Sequence, residues 1–121
     1  MSEFGELMAE LNSLDMQIQD CITKFEESMQ GRLTILIEVP FQDGHLVWKK
    51  INGTWRVAYA EKGDVTPIAS SNRLMRMEAV HTGFEALLKR VKPALEESII
   101  ERRKALQAFS LLEKEIDGAL T

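Results

Sequence analysis

An Asn-Gly dipeptide at positions 52 and 53 separates two strand-like runs rich in aromatic and β-branched residues, from Leu46 to Ile51 and from Trp55 to Ala60. This feature constrains the fold more than any other. A two-residue type I′ turn needs positive φ at both central positions, and Asn followed by Gly accepts it at small steric cost. The turn predicts a β-hairpin whose register follows by counting outward, with Trp48 opposite Val57 and Leu46 opposite Tyr59.

The segment before it has a period of two. Leu33, Ile35, Ile37, Val39 and Phe41 alternate with Thr34, Leu36, Glu38 and Pro40, and Asp43-Gly44 offers a second I′ turn. That turn pairs Val39 with Trp48 and Phe41 with Leu46. The two registers agree, because both put Ile35, Ile37, Val39, Phe41, Leu46, Trp48, Trp55, Val57 and Tyr59 on one face. A one-residue slip would scatter that set across both faces. Trp48, Trp55 and Tyr59 share this face with the aliphatic residues, so they read as core rather than as a base-stacking platform. Lys50 is the misfit, its stem able to lie along the aromatic edge beside Trp55. A third turn at Lys62-Gly63 leads to a short strand over Val65 to Ala69. Proline donates no ladder hydrogen bond, so Pro40 and Pro67 suit the edge strands of a meander ordered 1-2-3-4 over residues 32–69 or so.

Helical spacing brackets the meander. Phe4, Leu7, Leu11, Leu14, Ile18, Cys21 and Phe25 alternate in steps of three and four, a heptad seam that predicts a helix over about 2–29 with its stop at Gln30-Gly31. Met8, Ile22 and Met29 widen one flank, and Glu26 and Glu27 lie away from the seam. After the capping candidates Ser70-Ser71-Asn72, the residues Leu74, Met77, Val80, Phe84, Leu87, Leu88 and Val91 predict a helix over about 72–92 that covers the sheet. Pro93 then marks a kink or a fresh helix over about 93–118, whose stripe runs through Leu95, Ile99, Ala105, Leu106, Phe109, Leu112 and Ile116. The first and last helices match in length at about 42 Å each. They are expected to pair antiparallel within the chain, Phe25 near Leu95 and Phe4 near Ile116, or else to pair between subunits. The expected class is therefore α+β, in one domain spanning the chain: an N-terminal helix, a four-stranded antiparallel meander, a covering helix, and a long C-terminal helix pairing with the first. The order helix, two hairpins, helix resembles a shortened prefoldin subunit in topology, apart from the extra helix before Pro93. That resemblance carries no functional residue across.

Composition narrows the functional classes. With 121 residues and 45% hydrophobic content the chain can bury a core without staples, and its formal net charge of −4 lacks the basic excess that nucleic acid or anionic lipid usually demands. The single cysteine, Cys21, forms no internal disulfide and reads as a small buried hydrophobe on the first seam. No basic n-region with an apolar core opens the chain, and no apolar run reaches the 18 or so residues of a membrane span. A cytoplasmic protein is expected.

Catalytic chemistry needs converging groups, and none is indicated. His45 adjoins a turn and His81 lies on the third helix, with no further ligand or base placed near either. No Gly-rich phosphate loop occurs. The clusters Lys89-Arg90-Lys92 and Arg102-Arg103-Lys104 alternate with Glu96, Glu97 and Glu101 and read as solvated helix faces. Arg102 differs, because it interrupts an apolar seam, where it could reach Asp15 or set the register of an oligomer. On the outer sheet face, Glu38, Lys49 and Arg56 form an expected cross-strand row bordered by Leu36, Val47 and Ile51, and these six residues are the candidate partner contact.

The expectation is thus a non-enzymatic interaction or assembly protein without cofactor or small-molecule substrate. It would act through helical seams and the outer sheet face, as an oligomer or an accessory subunit. The alternative is a small acidic regulator or inhibitor of a nucleic-acid-processing system, of a phage or bacterial kind. Direct nucleic-acid binding is disfavoured by the charge.

Overall fold

The computed structural model describes residues 2–121; Met1, within the expected domain span, lies outside them. It is an α+β chain that divides into two units, one up to Arg90 and one from Val91 to Thr121.

In the first unit, helix α1 spans Glu3–Met29, with Ser2 at its N-cap accepting a hydrogen bond from the Gly5 amide (3.1 Å). It ends where expected, Gln30 leaving the helical conformation and Gly31 taking φ of 71°. Strands β1 (Ile37–Phe41), β2 (Gly44–Ile51), β3 (Thr54–Glu61) and β4 (Asp64–Pro67) follow as an antiparallel sheet in the order 1-2-3-4. A 3₁₀ turn over Ile68–Ser70 leads to helix α2 (Arg73–Glu78), capped by the Asn72 side chain, which accepts from the Met75 amide. A π-helical turn, Ala79–Gly83, joins α2 to helix α3, Phe84–Leu120.

The Asn52-Gly53 hairpin has its expected register: both turn residues have positive φ, Trp48 pairs with Val57 and Leu46 with Tyr59. The first hairpin departs from expectation by two residues. Its turn is Gln42-Asp43, so Val39 pairs with Leu46 and Ile37 with Trp48. Gly44 is a strand residue. A Cβ there would lie 2.2 Å from the Ala60 carbonyl oxygen, so glycine serves close approach of β2 to β3 rather than turn geometry. Because side chains alternate with period two, an even slip preserves the inner face, and the alternation alone cannot detect it.

That face holds the core: Ile37, Val39, Phe41, Leu46, Trp48 and Val57 are buried, as are Ile22 and Met29 of α1 and Ile68. Trp48 donates its indole N–H to the Leu33 carbonyl (3.0 Å), which satisfies its polar atom inside the core. Phe25 of α1 stacks on Phe84 at 4.0 Å between ring centroids.

The covering segment uses smaller residues than its large apolar stripe suggested. Ala79, Gly83, Phe84 and Leu87 are buried, whereas Leu74, Met77 and Leu88 are exposed. The π turn widens the helix by one residue and shifts which positions face the sheet. A Cβ on Gly83 would stand 2.7 Å from Leu46 Cδ2, so the missing side chain is what lets this turn approach the sheet. On α1 the buried face also differs from the heptad seam. Cys21 is exposed and Ile22 fully buried, since successive helical residues point about 100° apart.

In the second unit, residues 101–121 are exposed throughout. α3 contains Pro93, which can donate no hydrogen bond to the Lys89 carbonyl. Among the described residues, no helix is long and apolar enough to cross a membrane.

Candidate functional site

Strand β4 stops short of the full length of β3. Its last pair joins Pro67 to Ala58, leaving the start of β3 without a strand on that side. The last turns of α1 fill the gap. The Val57 amide donates to Glu26 Oε2 (2.9 Å), and the Gln30 side-chain amide donates to the Trp55 carbonyl. One side chain of α1 and that of its C-cap residue, Gln30, thus satisfy backbone groups that a strand would otherwise pair.

Glu26 carries a second contact. Arg56 Nε lies 3.3 Å from the same Oε2, and only 12% of the Glu26 side chain is accessible. Arg56 stands opposite Lys49 in the ladder, a like-charge pairing that would be unfavourable alone. Glu26 supplies the neutralising acid for Arg56. Its position follows from the helix: four residues after the fully buried Ile22, it points only about 40° away from it. A carboxylate so near the buried line of α1 was the available signal in the sequence, where the heptad seam had placed it outside.

Together these elements enclose a cleft of about 460 Å³ between the end of α1 and the β2–β3 hairpin. Thr23, Glu26, Glu27 and Gln30 line one wall, and Ile51, Trp55 and Arg56 the other. Trp55, expected in the core, is half-buried and reaches the cleft while lying 6.1 Å from the Trp48 ring. The chemistry offered is an apolar ring edge beside amide and ion-pair groups. The Glu26 carboxylate is engaged by two donors, the Val57 amide and Arg56.

The six expected contact residues fall into two places. Ile51 and Arg56 line the cleft. Lys49, half-buried, faces Arg56, so the pair sits at the cleft's outer margin. Glu38 is elsewhere: it pairs with Val47, not Lys49, and its Oε1 lies 3.5 Å from His45 Nδ1. The expected row of Glu38, Lys49 and Arg56 is therefore broken by the same two-residue shift that moved the first turn. Leu36 is exposed just before β1, while Val47 retains only 3% accessibility and presents no contact surface.

Other candidates take structural places. Asp15, a possible partner for Arg102, lies 3.5 Å from Arg73 Nη1, and Arg102 Nη1 donates to the Ser98 carbonyl of its own helix. His81 is exposed. Among the described residues no three His, Cys, Asp or Glu side chains are grouped to hold a metal ion. Tyr59 donates its hydroxyl to Glu61 Oε2 (3.3 Å), and its ionisation is raised above the usual phenol range, first by desolvation and then by the Glu61 carboxylate. Compared with protein-family profiles, curated proteins and solved structures, the chain finds no significant match.

Proposed function

We propose that this chain is a non-enzymatic interaction or assembly protein that works by presenting apolar helical seams to protein partners, its own copies included. The observation that carries this reading is the exposure of large apolar side chains at helical spacing. On α1 these are Phe4, Leu7, Leu11 and Leu14; on residues 91–121 they are Ile99, Leu106, Phe109, Leu112 and Ile116. Scattered surface leucines need no explanation, but apolar side chains aligned along one helix face form a contiguous patch that water solvates poorly.

The cleft beside Arg56 and Trp55 and the exposed Leu36 complement the seams as polar and apolar contact points. Light scattering over a concentration series, with pull-down from a source lysate in parallel, tests the reading. Association that rises with concentration, or a stoichiometric protein partner, supports it. A strict monomer that retains no protein overturns it.

A further inference from the structure

We infer that the exposed seam at the start of α1 docks an apolar helix of a different protein, one that carries lysine or arginine along its flank. The inference rests on the assembly reading above and gives that partner its chemistry.

The seam is open because α1 packs through its second half, where Ile22 and Met29 are buried. Phe4, Leu7, Leu11 and Leu14 remain 74%, 58%, 48% and 47% accessible. They alternate in steps of three and four, so they hold the core positions of a heptad and present one face about 15 Å long. A contact this short makes a reversible complex.

Charge sets what the facing helix carries. On this heptad Glu3 and Glu10 occupy one flanking position, with Glu6 just outside it, while Met8 and Asp15 occupy the other. Arg73 already pairs with Asp15 (3.5 Å). Glu3 and Glu6 also suit the first turn of a helix, where the dipole favours acid, but that effect has faded by Glu10. No base occurs in α1 before Lys24. The flank of Glu3 and Glu10 is therefore left acidic, and flanking charges choose the partner of such a seam.

The chain's own apolar faces do not supply the match. Two α1 seams side by side would set Glu10 against Asp15 if parallel, and Glu3 against Glu10 if antiparallel. The stripe through Leu95, Phe109 and Ile116 is flanked by Glu101, Glu113 and Glu115 and by no base, so it too would bring acid to acid. The base within that stripe, Arg102, donates to the Ser98 carbonyl of its own helix. Its charge also opposes a basic occupant there, which leaves α1 as the place for one. An anionic lipid surface is repelled by the same α1 acids.

Two synthetic three-heptad helices test this by fluorescence anisotropy against the full chain, both with leucine at the seam positions, one flanked by lysine and the other by glutamate. The lysine-flanked probe should bind tighter than the glutamate-flanked one by about tenfold or more at low salt, with the difference shrinking as salt rises. Leu7→Gln with Leu11→Gln should weaken it by about tenfold or more, whereas Phe109→Gln should leave it unchanged. Glu3→Lys, Glu6→Lys and Glu10→Lys together should reverse the preference towards the glutamate-flanked probe. Near-ultraviolet tryptophan dichroism checks that each variant keeps the fold of the first unit. Equal binding of the two probes, or a preference that survives the charge reversal, overturns the inference. Binding lost with Phe109→Gln and kept with the α1 variants also overturns it and leaves the assembly reading intact. A chain that binds neither probe, stays monomeric at every concentration and retains no partner overturns both.

Discussion

The inner face of the sheet and the segment Val91–Thr121 are both built from apolar residues at regular spacing, yet they meet opposite fates. Ile37, Leu46, Trp48 and Val57 are completely buried, whereas Leu106, Phe109 and Leu112 remain exposed. The difference lies in where the covering surface comes from. The sheet's inner residues are closed over by side chains from other elements of the same unit, here Ile22, Ile68 and Leu87, whereas a heptad seam specifies a facing helix without specifying whose. Regular apolar spacing by itself therefore does not name the surface that covers it.

That contrast can be tested on both sides. The largest expected effect is at the centre of the sheet: Trp48→Ala should cost about 3–5 kcal/mol in denaturant unfolding, since it removes a buried indole and leaves the Leu33 carbonyl without its donor. A much smaller loss would show that the inner face is less tightly closed than its burial implies. Next, Glu26→Ala should destabilise by about 1–3 kcal/mol, because the Val57 amide and Arg56 both lose their acceptor. Glu26→Gln keeps an acceptor oxygen for the amide and should cost less. Equal losses would mean that the charge, not the β3 edge, is what Glu26 serves.

On the exposed side, Phe109→Ala should change the unfolding free energy, followed by tryptophan fluorescence at high dilution, by no more than about 0.5 kcal/mol. A larger loss would put Phe109 in the same class as the sheet core and erase the distinction. The smallest effect concerns alkaline pH. Tyr59 has a raised pKa in the folded chain, so the folded state holds its proton more tightly than the unfolded state. Its contribution is fully present below the unfolded value near pH 10 and is lost as pH rises through the folded value. Tyr59→Phe should flatten that alkaline decline in a pH series of thermal midpoints. An unchanged slope would assign the decline to other groups.

Legibility in the sequence followed how local the controlling interaction is. The Asn52-Gly53 hairpin was readable because positive φ at two adjacent residues is a property of the turn itself. The stop of α1 at Gln30-Gly31 was readable for the same reason. The first hairpin was readable only in part: its face followed from alternation, but Gln42-Asp43 and Asp43-Gly44 turns yield the same face, and the choice was made by Gly44, where β2 runs too close to Ala60 for a side chain. The candidate site was least visible. Ile51, Lys49 and Arg56 were named from the ladder, while Glu26, Gln30 and the backbone of Trp55 and Val57 came together only because β4 ends at Pro67 and α1 lies where it would have continued.

By itself, then, the sequence determined the α+β order of elements, the meander, the inner apolar face and the register of its central hairpin. These depend on period and on φ preferences carried by neighbouring residues. Tertiary structure decided which apolar positions are closed and which stay open. Ala79 and Gly83 face the sheet in place of larger neighbours, Ile22 is buried in place of Cys21, and Val47 is lost to contact while Arg56 is drawn to Glu26. The physical reason is that close approach depends on the space left by residues far apart in the chain, and no periodic pattern records that space.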